Sequence, residues 1–369
     1  MLIISDHALP IALDPIENQT VKELTEIWAG RYRPQPRLYG WDSVIQNSFI
    51  FDTLAQAASP EGRRETVAKL HRSLIKLNCE FADAQTRELH ERAASPTDLG
   101  EAKRIVQCAV EIYSTLLEFY ADSPTFSPLE LKGSEDGEAF VLAGLGASDV
   151  IFLAKTLEPL LLEYQERHQL SEDWAKVGFL TTHLNFTNVA LLKNLTTVEK
   201  FFIEPYFKFL EEQVALPWQR VCAAASTHQY SSPAFRLVKR MLPEAEDIAH
   251  RVYTDLVQQF PQTVMRRGRL DHPGVKHSCL RDLNMFQAYL WLCVLKGTVD
   301  PVEDELVRLC TMVMPRVGVP WEMTVRWCEL LMAEVTDRVL LSHQALLEPY
   351  MKRFMQAFQH SEDRLTAES

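Results

Sequence analysis

The sequence predicts an all-α protein, and three observations carry that prediction. Glycine makes up only 13 of 369 residues, well under the usual share of about 7%. Long alternating runs of β-branched residues bounded by Asn-Gly turns are missing. Helix-start signals and apolar stripes at a period near 3.6 recur along almost the whole chain.

The length suggests two or three folding units at about 150 residues per domain. Hydrophobic residues at 47% and charged residues at 24% are ordinary globular usage, which argues against disorder. The formal charge of −12 argues against nucleic acid as a partner. No stretch reaches the roughly 18 apolar residues of a membrane span; Phe140–Leu162 is interrupted by Asp149, Lys155 and Glu158. The opening MLIISDHALP has neither the basic start of a secretory signal nor the Arg-rich character of a transit peptide. Seven dispersed cysteines with no CxxC pair point to reduced thiols rather than disulfides or zinc. The expected localisation is therefore cytoplasmic, with peripheral contact on a membrane face open.

Helices are expected near 20–30, 42–58, 60–93, 97–121, 147–168, 172–192, 197–225, 233–259, 276–297, 301–314, 320–340 and 342–358. Thr20 with Glu23 and Thr196 with Glu199 fit capping boxes, a hydroxyl and a Glu satisfying each other's exposed amides. Ser59-Pro60 and Ser95-Pro96 place a cap before a proline that needs no N–H partner. Pro217-Trp218 suggests a kink or junction. Asp122–Gly137 and Ser226–Pro233 read as linkers, the second separating a helical block (1–230, role unknown) from a C-terminal domain (231–360); 361–369 reads as a polar tail. In that C-terminal block Ile248, Ala249, Val252, Tyr253, Leu256 and Phe260 form one helical stripe. Leu280, Leu283, Phe286, Leu290 and Val294 form a second, ended by Lys296-Gly297. Trp321, Thr324, Val325, Cys328, Leu331, Met332 and Val335 form a third. Three amphipathic helices with short connections imply one helical core.

The segment with chemical content is Lys276-His277-Ser278-Cys279-Leu280-Arg281-Asp282-Leu283. On a helix, Cys279 and Asp282 share a face. A thiol, a carboxylate and a guanidinium this close suit a large conjugated ligand that is tethered by sulfur, with its inner N–H groups on the carboxylate and its acidic side chains on the cation. Here the chain resembles the phycobiliproteins, the globin-like bilin-carrying subunits of the phycobilisome, and most of all the allophycocyanin beta type, over roughly 245–358. Their chromophore helix reads Cys-x-Arg-Asp-Leu, and Cys279, Arg281 and Asp282 fall on those positions. The spacing to Gly318-Val319-Pro320 also matches. The resemblance implies a C-terminal globin-like domain behind a separate helical N-terminal domain. It implies a linear tetrapyrrole such as phycocyanobilin held by a thioether at Cys279, with Asp282 on the central pyrrole nitrogens, Arg281 on a propionate and Trp321 beside the pigment. Light harvesting, energy transfer or sensing would follow, with phycobiliprotein or photosystem subunits as partners, a homo-oligomer also open, and a cyanobacterial thylakoid's cytoplasmic face as the location. No enzyme activity is expected, and no metal.

The chain departs from the family pattern where Asp282 is followed by Leu283-Asn284-Met285-Phe286-Gln287-Ala288 instead of Asp-x-x-Tyr-Tyr-x-Arg. It also carries Arg269 where the allophycocyanin beta type has a modified Asn, and residues 1–230 have no antenna counterpart. These differences support the alternative of an unpigmented relative that docks antenna or photosystem subunits as an adaptor or assembly factor. Each residue also has a plainer role open to it. Cys279 would be an inert buried thiol, or a reactive thiolate if Lys276, His277 and Arg281 lower its pKa. Asp282 would pair with Arg281 or a neighbouring helix. The basic cluster Arg266, Arg267 and Arg269 would be a solvated loop, or a docking point for acidic partners. Trp291 and Trp327 are expected in the core.

Overall fold

The computed structural model describes residues 18–35, 48–90, 99–122, 145–169 and 175–367. These residues are almost entirely helical. The cap expected at Ser95-Pro96 and the helix start near 42 fall outside the described residues, as does the expected linker beyond Asp122.

The first helices run α1 (Gln19–Gly30), α2 (Ser48–Ala58), α3 (Pro60–Lys69), α4 (Arg72–His90), α5 (Leu99–Asp122), α6 (Ala147–Gln169), α7 (Ala175–Leu192) and α8 (Thr197–Ala215). Ser59 caps α3 by accepting from the Gly62 amide, and Thr196 with Glu199 makes the expected capping box at α8. The box expected at Thr20 and Glu23 does not form. Asn18 caps α1 instead, accepting from the Thr20 and Val21 amides. The Thr20 hydroxyl donates to the Ala225 carbonyl oxygen, and Glu23 pairs with Lys239. The single helix expected over 60–93 breaks at Leu70–His71, where the His71 ring accepts from the Leu74 amide and starts α4 afresh.

Pro217 holds Leu216 extended (φ −113°, ψ 135°), as the steric demand of a following proline requires. α8 therefore ends and α9 (Trp218–Ala224) begins. After the expected connection come α10 (Pro233–Met241) and α11 (Ala245–Gln259), separated by one 3₁₀ turn at Leu242–Glu244 that contains Pro243. A short hairpin follows, β1 (Val264–Met265) against β2 (Gly268–Arg269). Gly268 takes φ +133° at its turn, a conformation that L side chains rarely adopt.

Helix α12 (Pro273–Lys296) is the axis of the C-terminal part. Every residue from Leu283 to Leu295 is buried, so its helical stripe is a full circumference and not one face. α8, α9, α10, α11 and α15 (Leu341–Ala367) pack around it. Gly297 ends it in the left-handed conformation, φ +70°. A π-helical stretch, Pro301–Leu306, leads into α13 (Val307–Val313), followed by α14 (Trp321–Arg338) and α15. α15 continues past 358 through the residues read as a tail, up to Ala367. Trp291 and Trp327 lie in the core as expected, with Trp327 stacked on Phe286 at 5.8 Å.

The buried side chains form one continuous cluster, from Leu24 in α1 to Phe358 in α15. The connection at 226–232 is thus a boundary in sequence but not a break in the core.

Candidate functional site

The motif turn lies on the first half of α12, where the helix passes beneath α7 and α8. Cys279 and Asp282 stand one turn apart, as the spacing requires, but they do not open onto a shared cavity. The Cys279 residue is only 4% exposed and belongs to the hydrophobic cluster. Burial pushes its thiol pKa up, Asp282 raises it further, and the opposing effect of Arg281 is the smallest of the three. The lowering expected from nearby cations is therefore reversed, because withdrawing a thiolate from water outweighs one guanidinium.

Arg281 and Asp282 are engaged with each other. The guanidinium donates to Asp282 Oδ1 from Nε at 2.8 Å and from Nη2 at 2.6 Å. Burial raises the Asp282 pKa, and Arg281 opposes that rise. The carboxylate faces a void of only about 40 Å³, closed by Gly178 and Thr181 of α7, Ala215 at the end of α8, and Cys310 and Met314. That space suits water and is far too small for a tetrapyrrole.

The second half of the cluster comes from α8. Glu211, with a side chain 4% exposed, accepts from His277 Nε2 at 2.8 Å and from Arg281 Nη1 at 3.3 Å. Its other oxygen accepts from Asn185 and Asn188, and the Asn188 side-chain oxygen takes the Tyr113 hydroxyl at 2.6 Å. Burial alone would raise the Glu211 pKa. The charges of His277 and Arg281, together with the hydrogen bonds, outweigh it and hold the carboxyl at about 2. Glu211 in turn raises the pKa of His277. The next residue, Glu212, accepts from Arg31, at the end of α1, through Nη2 at 2.8 Å and Nε at 3.1 Å; Arg31 Nη1 also reaches Asn284 at 3.4 Å. Two consecutive glutamates thus tie α8 to α12 and to α1.

Sequence reasoning missed this pair. The signal that could have found it is the position of Glu211-Glu212 inside an apolar helix, Phe201 to Val214, where buried carboxylates need partners.

Trp321 is not brought to the motif: it stacks on Phe358 at 5.9 Å and donates from Nε1 to the Phe358 carbonyl oxygen. The basic cluster turns back onto the chain. Arg266 donates to the Leu89 carbonyl oxygen, Arg269 to that of Pro261, and Arg267 to Asn185 and to the Gly274 carbonyl oxygen.

Beside the motif, between α7, α8 and the start of α12, lies a cleft of about 680 Å³. Its lining includes His277, Leu280, Arg281 and Asn284 of α12, but neither Cys279 nor Asp282. All seven cysteines are free. Among the described residues no cluster of three or more His, Cys, Asp or Glu is placed to hold a metal ion, and no helix is long and apolar enough to cross a membrane.

No curated protein and no solved structure matches the chain. The family model described as phycobilisome protein matches residues 222–358, covering α10 to α14 and most of α15. This match is to the family as a whole and does not distinguish the allophycocyanin beta type within it. Residues 222–358 are thus a phycobilisome protein domain in the C-terminal part of a helical chain, which supports a phycobilisome-related role.

Proposed function

We propose that the protein is an unpigmented, non-catalytic component of the phycobilisome system. In this reading the phycobilisome domain is a scaffold that docks phycobiliprotein subunits, and the chain acts as an adaptor or assembly factor. The observation that supports it best is the state of the motif. Cys279 is closed off from both cavities, and the guanidinium that would receive a propionate is already held by Glu211 and Asp282. The family is one of light-harvesting assemblies without enzymatic activity. Phycobiliprotein subunits are accordingly the partners proposed, and the cytoplasmic face of the thylakoid the proposed location.

Covalent attachment of a bilin such as phycocyanobilin at Cys279 is the competing reading, favoured by the retained Cys-x-Arg-Asp positions. It requires the buried Cys279 to become accessible. Co-expression with a phycocyanobilin pathway and several bilin lyases separates the two. The expected result is no zinc-induced fluorescence on a denaturing gel, together with recovery of phycobiliprotein subunits when the chain is used as bait in a phycobilisome extract. A fluorescent band that disappears in Cys279→Ala would establish the pigmented reading. Failure to recover any phycobiliprotein would overturn the docking role.

A further inference from the structure

The 680 Å³ cleft is within the 300–1,000 Å³ range of small-molecule sites, and its cations are not all matched. Glu211 answers His277 and Arg281. Arg267, which also lines the cleft, has no carboxylate within 4 Å among the described residues. Its guanidinium is nonetheless fixed. It lies 4.4 Å from the centroid of the Phe186 ring and donates to Asn185 and to the Gly274 carbonyl oxygen. A side chain at position 274 would collide with it, since a Cβ there would come within 2.5 Å of the guanidinium carbon. Burial and the neighbouring Arg281 disfavour its charge, and Glu211 opposes them from beyond ion-pair distance. The lining also includes the apolar side chains of Val189, Leu192, Phe201 and Leu280.

We propose that this cleft binds an amphipathic carboxylate, with its head on Arg267 and its apolar body along Val189, Leu192, Phe201 and Leu280. One preorganised planar guanidinium matches one carboxylate head, which it can hold through two parallel hydrogen bonds. The apolar lining rewards a hydrocarbon or aromatic body and gives a small hydrophilic anion nothing further to bind. The cleft borders the motif at Arg281 but includes neither Cys279 nor Asp282, and the proposal does not depend on the docking role.

The test titrates the full chain with 11-(dansylamino)undecanoate and follows dansyl emission, then displaces the probe with decanoate or with decanol. Saturable one-to-one binding is expected, with decanoate displacing at least about tenfold better than decanol, about the effect of one charge-assisted contact. Arg267→Gln should weaken the probe by about tenfold. Val189→Trp, at a rim position already 45% exposed, should block the cleft and weaken it further while leaving the helical circular dichroism unchanged. If Arg267→Gln does not fold, Val189→Trp and the two competitors still decide. Absence of saturable binding, equal displacement by decanol, or binding indifferent to Val189→Trp would overturn the proposal.

Discussion

The helices before residue 222 and the domain after it bury different chemistry. Among the described residues, all but three of the buried polar and charged side chains lie in the first region; the exceptions are Asn284, Gln287 and Thr324. The second region is built on α12, whose buried length from Leu283 to Leu295 is apolar apart from Asn284 and Gln287. Apolar burial stabilises without choosing a unique arrangement, whereas paired buried charges contribute little net stability and can fix one arrangement over another. In this protein the fixed arrangement is the seam. Glu211 and Glu212 of α8 hold Arg281 and Arg31. Arg281, the side chain that a bilin propionate would need, is thereby used to seat α8.

Substitutions on either side should differ accordingly, and the largest effect belongs to the apolar core. Phe286 packs on Trp327 and Phe358 with no exposure. Phe286→Ala should cost about 3–5 kcal/mol in urea unfolding. At the seam, Glu211→Ala leaves His277 and Arg281 without their shared carboxylate and should cost roughly 3 kcal/mol. A loss below about 1 kcal/mol would mean that the network does not hold the two regions together. Within the N-terminal region alone, Thr196→Ala removes one side of the α8 capping box and should cost about 1 kcal/mol.

The smallest effect sharpens the comparison through pH. Glu211 raises the His277 pKa above its ordinary 6.5, so that contribution is complete below 6.5 and is lost as pH rises through the raised value. The Glu211 carboxyl, held at about 2 against an ordinary 4.5, contributes above 4.5 and loses its contribution as pH falls toward 2. The seam is therefore strongest between about pH 4.5 and 6.5. The wild type should lose stability to urea from pH 6 to pH 9, and His277→Gln, half exposed at 49%, should remove part of that loss. An unchanged slope would separate His277 from the seam.

Much of the fold was legible in the sequence because its punctuation is local. Pro217, Phe260-Pro261 and Lys296-Gly297 end helices where the residues themselves forbid continuation. The break at Leu70–His71 was not legible, since neither residue is a helix breaker and a ring nitrogen supplies the cap. Nor was the capping of α1 by Asn18, because Thr20 is drawn away by a carbonyl about two hundred positions along the chain. The motif turn was found from Cys279, Arg281 and Asp282, and their spacing on α12 is as expected. The surroundings of Arg281 and Asp282 were not readable, because the residues of α7 and α8 beside them lie outside the residues that the family model matches. Arg281 has the same helical position in either reading, and only Glu211 decides what it holds.

The docking reading stands on the burial of Cys279, and thiol accessibility measures that burial directly. The native chain would be treated with iodoacetamide at pH 8 and the modified cysteines mapped by mass spectrometry, with a urea-unfolded sample as reference. The account predicts that Cys279 stays unmodified in the native protein while the half-buried Cys108 reacts, and that all seven react in urea. Alkylation of native Cys279 as fast as Cys108 would contradict it, because the sulfur would then be open to a pigment.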